Sequence, residues 1–156
     1  MSTHTLPKTD LSASTSSSPA VRVVTRHLPT VARVLLGLCF FVFGLNGFLG
    51  FIPPPSEPMP EGAVKLGTAF MESGYLFQLI KGTEVAAGLA LLCNRFVPLA
   101  LVVLAPVVLN IVAFHVWLVP SGLGLSLVLA ALTLYLAWAH RQAYAPLLRA
   151  RAPLAR

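Results

Sequence analysis

Four long apolar stretches follow one another along the chain, and each is long enough to cross a membrane as a helix. A spanning helix needs about 20 mostly apolar residues to traverse ~30 Å of hydrocarbon. The stretches are continuously apolar rather than alternating, which is typical of spanning helices and not of membrane β-strands. We therefore predict an all-α membrane protein with four transmembrane helices, at residues 31–52, 75–93, 97–118 and 121–139.

The connections between these stretches predict an antiparallel bundle. Asn94 to Phe96 and Val119 to Pro120 are tight turns, and short turns place consecutive helices antiparallel. The long connection, residues 53–74, opens with prolines that impose an extended path. It then has apolar residues at helical spacing, which predict a short amphipathic helix in the first outer loop. This helix is either a plain connector or a lid over an outward-facing pocket. The apolar residues are Ala63, Leu66, Phe70 and Met71.

The distribution of charge predicts the orientation. Of the 11 Lys and Arg residues, nine lie on the side of the chain termini, whereas residues 53–74 carry three Glu and one Lys. The positive-inside rule places both termini in the cytoplasm. We divide the chain into a disordered basic tail (1–30), a membrane domain (31–148) whose first helix is opened by Pro29, and a second basic tail (149–156).

Composition agrees with a membrane protein. Hydrophobic residues make up 56% of the chain and charged residues 10%, with a mean hydropathy of +0.81. A soluble domain of this length cannot hide so much apolar surface. The net charge of +6 would suit nucleic acid, but the basic residues flank the spans and form no folded basic face. The lipid bilayer is therefore the expected partner, and nucleic acid is not.

Five polar residues share the outer half of three predicted spans and form the candidate ligand-binding site. Counted at ~1.5 Å per residue, they lie ~5 to ~13 Å from the outer end of their helices. Lys81 and Glu84 are three residues apart, which predicts an intrahelical ion pair. Ionisable groups inside a membrane mark functional sites by default. The alternative is that such residues only fix helix packing, which we favour for Asn46 alone. The five are Asn46, Lys81, Glu84, Asn110 and His115.

Other chemistry is poorly supported. Asn110 and His115 are ~140° apart on one helix, so we expect that they do not face one spot. No set of His, Cys and carboxylate residues has metal-ligand spacing, and no catalytic motif is present, so we assign no metal site and no catalytic residue. Cys39 and Cys93 are predicted to be reduced, small buried residues. Glycines in the first two spans indicate close helix packing, but only weakly.

Several segments resemble the DoxX-like membrane proteins. They are Phe43 to Phe48 (FGLNGF), Gly74 to Phe77 with Lys81 and Glu84, Arg95 to Leu99, Ala105 to Val107 with Asn110, and Phe114-His115. The resemblance covers roughly residues 31–148. It implies a four-helix inner-membrane protein. The family takes its name from a subunit of a thiosulfate:quinone oxidoreductase, other relatives are linked with thiol and oxidant handling, and the wider superfamily includes assembly factors and cargo-binding proteins.

Three functions follow as hypotheses. The first is a membrane subunit of a redox system that binds a quinone at the polar cluster and works with membrane or peripheral redox partner subunits. The second is a small-solute or proton transporter, which in so short a chain needs a homo-oligomer or a partner to complete its path. The third is a non-catalytic assembly or stress protein. The sequence leaves open whether the chain is an enzyme, because fold and family do not fix function.

Overall fold

The regular elements of the protein are helices throughout the described part of the chain. The structure is a computed structural model that describes residues 19–53 and 58–146. Residues 1–18 of the predicted N-terminal tail and the whole predicted C-terminal tail (149–156) lie outside the described residues. Two of the loop prolines, Pro54 and Pro55, do so as well. A 3₁₀ turn at Pro120–Gly122 precedes the fifth helix. The α-helices are α1 (Pro19–Leu49), α2 (Glu61–Glu72), α3 (Leu76–Leu92), α4 (Val97–Trp117), α5 (Leu123–Ala139) and α6 (Arg141–Tyr144).

Three helical stretches are long and apolar enough to cross a membrane. They are His27–Leu49, Val97–Trp117 and Pro120–Ala139. The helices α2 and α3 pass the same criterion only together, and a 91° bend separates them, so they supply a fourth candidate if the pair counts as one broken span. The prediction of an all-helical chain is confirmed for the described residues. The apolar helices are compatible with a multi-pass membrane protein.

The first helix differs from its predicted limits. It begins at Pro19, so residues 19–30 are helical where we predicted a disordered tail. Pro29 lies inside the helix instead of opening it. Proline removes one helical hydrogen bond, but its fixed φ near −65° is itself helical, and the surrounding apolar residues continue the helix. At the other end α1 stops at Leu49, earlier than predicted, because Gly50 adopts a left-handed φ of 62°.

The amphipathic helix predicted in the first outer loop is present as α2. Gly74, with φ of 75°, lets the chain bend between α2 and α3. The hydroxyl oxygen of Ser73 accepts a hydrogen bond from the Leu76 backbone N–H at 3.0 Å and so satisfies one free donor of α3. The amphipathic helix is thereby held at the corner and lies against the first turns of α3.

Helices α1 and α3 pack against each other more extensively than any other pair, and they are antiparallel. The register follows from the atoms near three glycines of α1: Gly37 adjoins Leu91, Gly44 adjoins Val85, and Gly47 adjoins Lys81. Gly88 on α3 lies against the backbone of Phe41 on α1; a Cβ added there would come within 2.6 Å of the Phe41 nitrogen. Small residues let helix backbones approach closely, and here they form the main helix contact.

The two ends of the helix assembly differ in packing. Away from α2, fully buried leucines of α1, α3, α4 and α5 fill the space between the helices. The guanidinium of Arg33 on α1 closes this end by donating to the carbonyl oxygens of Leu91 and Leu92, the latter at 3.2 Å. These are the last carbonyls of α3, where a cation also complements the helix dipole. The leucines are Leu36, Leu91, Leu104 and Leu136.

Near the same end, α6 rests on the start of α4. The hydroxyl of Tyr144 donates to the Pro98 carbonyl oxygen at 3.2 Å. Burial raises the pKa of the Tyr144 phenol above its ordinary value, because the phenolate loses hydration. The phenol therefore remains a donor at neutral pH and ties the C-terminal helix to the assembly.

Candidate functional site

Two cavities lie at the α2 end of the helix assembly and share a wall. The first, of about 220 Å³, is enclosed by α1, α3, α4 and α5, and the second, of about 190 Å³, by α2, α3 and α4. Small-molecule sites usually measure about 300–1,000 Å³. Each cavity alone is smaller than this range, but the combined volume of the two falls within it. Four residues line both cavities: Lys81, Glu84, Ile111 and His115.

The shared wall contains the ion pair predicted from the sequence. Lys81 Nζ lies 2.8 Å from Glu84 Oε2, one turn along α3, and the prediction of an intrahelical pair is confirmed. Glu84 is only 4% exposed. A carboxylate so deeply buried requires a paired cation, which Lys81 supplies. The pair leaves further N–H donors on the Lys81 ammonium, which has three.

Two glycines of α1 make room for this pair. An added Cβ at Gly47 would lie 2.5 Å from Lys81 Cγ, and one at Gly44 would lie 3.0 Å from Glu84 Cβ. The Lys81 stem therefore crosses α1 where no side chain intervenes. The same spacing is visible in the sequence: the two glycines are three residues apart on α1, and Lys81 and Glu84 are three residues apart on α3. Only the antiparallel register shows that the glycines face the ion pair.

His115 is held in a defined orientation on α4. Its Nδ1 lies 2.9 Å from the Val119 carbonyl oxygen, and its ring meets Phe114 edge-on at a centroid distance of 5.3 Å. Asn110 lines the second cavity together with His115. The two residues differ in direction around the helix and are also ~7.5 Å apart along it, and the cavity extends along α4 far enough to reach both. That they do not face one spot stays a prediction.

Asn46 is separated from the other four candidate residues. Its Oδ1 accepts a hydrogen bond from the Ile52 backbone N–H at 2.6 Å, and it lines neither of the two cavities. It holds the chain as it leaves α1. This is a structural role, as favoured from the sequence, although the bond is to the following loop and not to another helix.

The cysteines lie in different environments. Cys39 is half-buried and lines the first cavity. The sequence does not reveal this, because the nearest polar residues of α1, Arg33 and Asn46, are almost two helix turns away. Cys93 is exposed at the end of α3, so its prediction as a buried residue was wrong. The helix ends one residue before it and leaves the side chain outside the packing. Within residues 19–53 and 58–146, no group of three or more His, Cys, Asp or Glu side chains could hold a metal ion.

The rest of the lining is apolar and largely aromatic. The second cavity has phenylalanines from three helices, with Phe70 contributed by α2. The amphipathic helix therefore forms part of the cavity wall. A mainly apolar lining with a few polar groups is typical of a small-molecule site. The aromatic residues of the two cavities are Phe40, Phe43, Phe70, Phe77 and Phe114.

The chain is similar to YwoB, an uncharacterized protein of Bacillus subtilis (strain 168). The two are 26% identical over 133 residues, in an alignment that covers 82% of this chain and 86% of the relative. The similarity thus extends over most of both chains. No protein-family model matches the chain, and no solved structure matches it significantly.

Proposed function

We propose that the chain is a DoxX-like membrane subunit of a redox system, whose paired cavities bind the headgroup of a quinone. The observation that carries this proposal is the Lys81–Glu84 ion pair, at 2.8 Å, in the wall between two cavities lined mainly by apolar and aromatic residues. A buried ion pair is a costly way to hold helices together, because apolar residues of similar size would do so at no loss of stability. The presence of the pair is explained if it contacts a ligand.

The proposed setting is a four-helix bundle in the inner membrane. Its spans are α1, α3, α4 and α5, and α2 lies at the outer surface. In support, large apolar residues are exposed on the outside of the helices, whereas Glu84, Ser126 and Thr133 are buried inside. A lipid-facing protein has this arrangement because hydrocarbon, not water, covers its surface. The basic residues that flank the spans support cytoplasmic termini in this proposal.

The chemistry of a quinone matches the lining of the cavities. A quinone carbonyl accepts hydrogen bonds, and the Lys81 ammonium retains donors beyond the one it gives to Glu84. The ring would stack among the phenylalanines, and the isoprenoid tail would leave between helices into lipid. We assign to this chain the binding of the quinone and not the supply of electrons. Electrons would therefore pass to or from a membrane or peripheral partner subunit.

A second candidate function rests on Cys39. The thiol lines the first cavity with Lys81, Glu84 and His115, so a reactant that enters this cavity would meet it, as thiol or oxidant handling requires. Substitution of Cys39 by Ser separates the two functions. Quinone binding should survive it, whereas protection against an added oxidant should be lost.

We expect the protein to retain quinone during purification. Native mass spectrometry of the full chain from mild detergent should detect a quinone adduct on the wild type, reduced at least about tenfold in both Glu84→Gln and Lys81→Met. Lys81→Met removes the cavity donor, and Glu84→Gln removes the carboxylate that orients it. Lys65→Met is the matched control, since it breaks an exposed ion pair with Glu61 on α2.

The outcomes separate the three hypotheses. A quinone adduct on the wild type and on Lys65→Met alone supports the redox proposal. If folded samples of all four proteins are free of quinone, the proposal is wrong. Uptake of a solute or a pH change in proteoliposomes would then indicate a transporter, and its absence an assembly protein.

A further inference from the structure

His115 lines both cavities, together with the Lys81–Glu84 pair. Its ring occupies the space above Gly122, where an added Cβ would collide with the ring atoms. Any side chain at position 122 would displace the imidazole. The ring also contacts Phe114 edge-on, so its orientation is restricted by more than one neighbour.

The hydrogen bond to Val119 engages Nδ1 and leaves Nε2 as the ring nitrogen that can bond to a ligand. A backbone carbonyl only accepts, so Nδ1, at 2.9 Å from the Val119 oxygen, carries a proton. In the neutral imidazole Nε2 is then an acceptor, and in the imidazolium it is a donor. The same atom thus offers opposite hydrogen-bonding character in the two protonation states.

Few other groups in the cavities can change charge. The titratable and charged side chains that line them are Cys39 on α1 and Lys81 and Glu84 on α3; the lining residues from α2 and α5 are Phe70, Leu125 and Leu129, which do not titrate. Lys81 and Glu84 neutralise each other across 2.8 Å. Histidine is the residue type that ordinarily changes charge between about pH 5 and 8.

We propose that His115 sets the preference of the site for the oxidised or the reduced ligand, and that this preference changes with pH. The inference rests on the proposed function. The imidazolium donates from Nε2 to a carbonyl oxygen and so favours the quinone. The neutral imidazole accepts at Nε2 from a hydroxyl and so favours the quinol. No bond to the ligand forms or breaks, and His115 acts by contact with the ligand headgroup.

The test is the binding of both ligand forms as a function of pH. The full chain in lipid nanodiscs is titrated anaerobically with a one-isoprene ubiquinone and with its quinol, at pH 5 to 8. We expect the ratio of Kd for the quinol to Kd for the quinone to fall about tenfold from pH 5 to pH 8, because one hydrogen bond to a charged group is exchanged. In His115→Asn, whose amide can keep the bond to Val119, the ratio should not change with pH.

His115→Gln serves as a second variant if His115→Asn does not fold, and it should behave likewise. Saturable binding with a ratio independent of pH in the wild type, or with the same pH dependence in both variants, would overturn the role of His115 and leave the quinone site intact. Absence of saturable binding of either form at every pH would instead remove the proposed function itself.

Discussion

Substitution of Lys81 by Met is expected to destabilise the protein by about 3–5 kcal/mol, because it leaves a buried carboxylate without its cation. Glu84 is 4% exposed and depends on Lys81 for its charge partner. Methionine keeps the apolar stem that crosses Gly47, so the loss is mainly that of the charge. Chemical or thermal unfolding in detergent micelles, followed by tryptophan fluorescence, measures the change.

Two further variants make this prediction specific. The double substitution Lys81→Met with Glu84→Gln should recover most of the lost stability, since no unpaired charge remains. Lys65→Met breaks the pair with Glu61, whose side chains are 74% and 81% exposed, and should change stability by less than about 1 kcal/mol. If Lys81→Met lowers the stability no more than Lys65→Met does, the Lys81–Glu84 pair is hydrated, and the proposed site is open to water.

Substitution of Gly88 by Ala is expected to be the other strongly destabilising change, at about 1–3 kcal/mol from overpacking. The added methyl group would meet the backbone of Phe41 at 2.6 Å and that of Gly37 at 2.9 Å, and backbone atoms cannot rotate away. The helices α1 and α3 would have to separate. This would also widen the space at Gly44 and Gly47 in which the Lys81–Glu84 pair lies.

Gly82 on the same helix is the matched control. No atom lies within 4 Å of a Cβ added at this position. Alanine has the higher helix propensity by about 0.8–1.0 kcal/mol, so Gly82→Ala should be neutral or stabilising. Gly88→Ala should lower the melting temperature, and Gly82→Ala should leave it unchanged or raise it. Equal melting temperatures would show that α1 and α3 do not pack through Gly88.

The local features of the fold could be predicted from the sequence. The limits of α3, α4 and α5 follow from apolar runs ended by Asn94 to Phe96 and by Pro120, and α2 from its helical spacing after the prolines. The Lys81–Glu84 pair followed from spacing alone. These features depend on residues close in sequence, where periodicity and side-chain reach decide the geometry.

The features that depend on register between helices could not be predicted. The glycines of both helices are visible in the sequence. Which of them meet depends on the register between α1 and α3, and so does the contact of Gly47 with Lys81. The contact of Arg33 with the end of α3 has the same origin. Cys39 was judged a small buried residue because nothing in its own helix marks it, and only the packing of α1 beside α5 opens a cavity there.

The start of α1 was misjudged for a different reason. Pro29 was read as the helix start because proline favours the first turn, yet the helix begins ten residues earlier and passes through it. A proline inside a helix costs about 3 kcal/mol or more when the lost hydrogen bond and the clash are not relieved. A proline can stand at the start of a helix or inside it, and the residue alone does not distinguish the two positions. The residues before Pro29 decide, because they continue the helix back to Pro19.

The most direct test of the central claim, that the paired cavities bind a quinone, is photolabelling with an azido-quinone in proteoliposomes, followed by peptide mapping. Labels should concentrate on cavity-lining residues of α3 and α4, be displaced by excess unlabelled short-chain quinone, and be lost in Glu84→Gln. Labels spread over lipid-facing positions such as Leu99, Leu109 and Leu134, without displacement by the competitor, would contradict the claim.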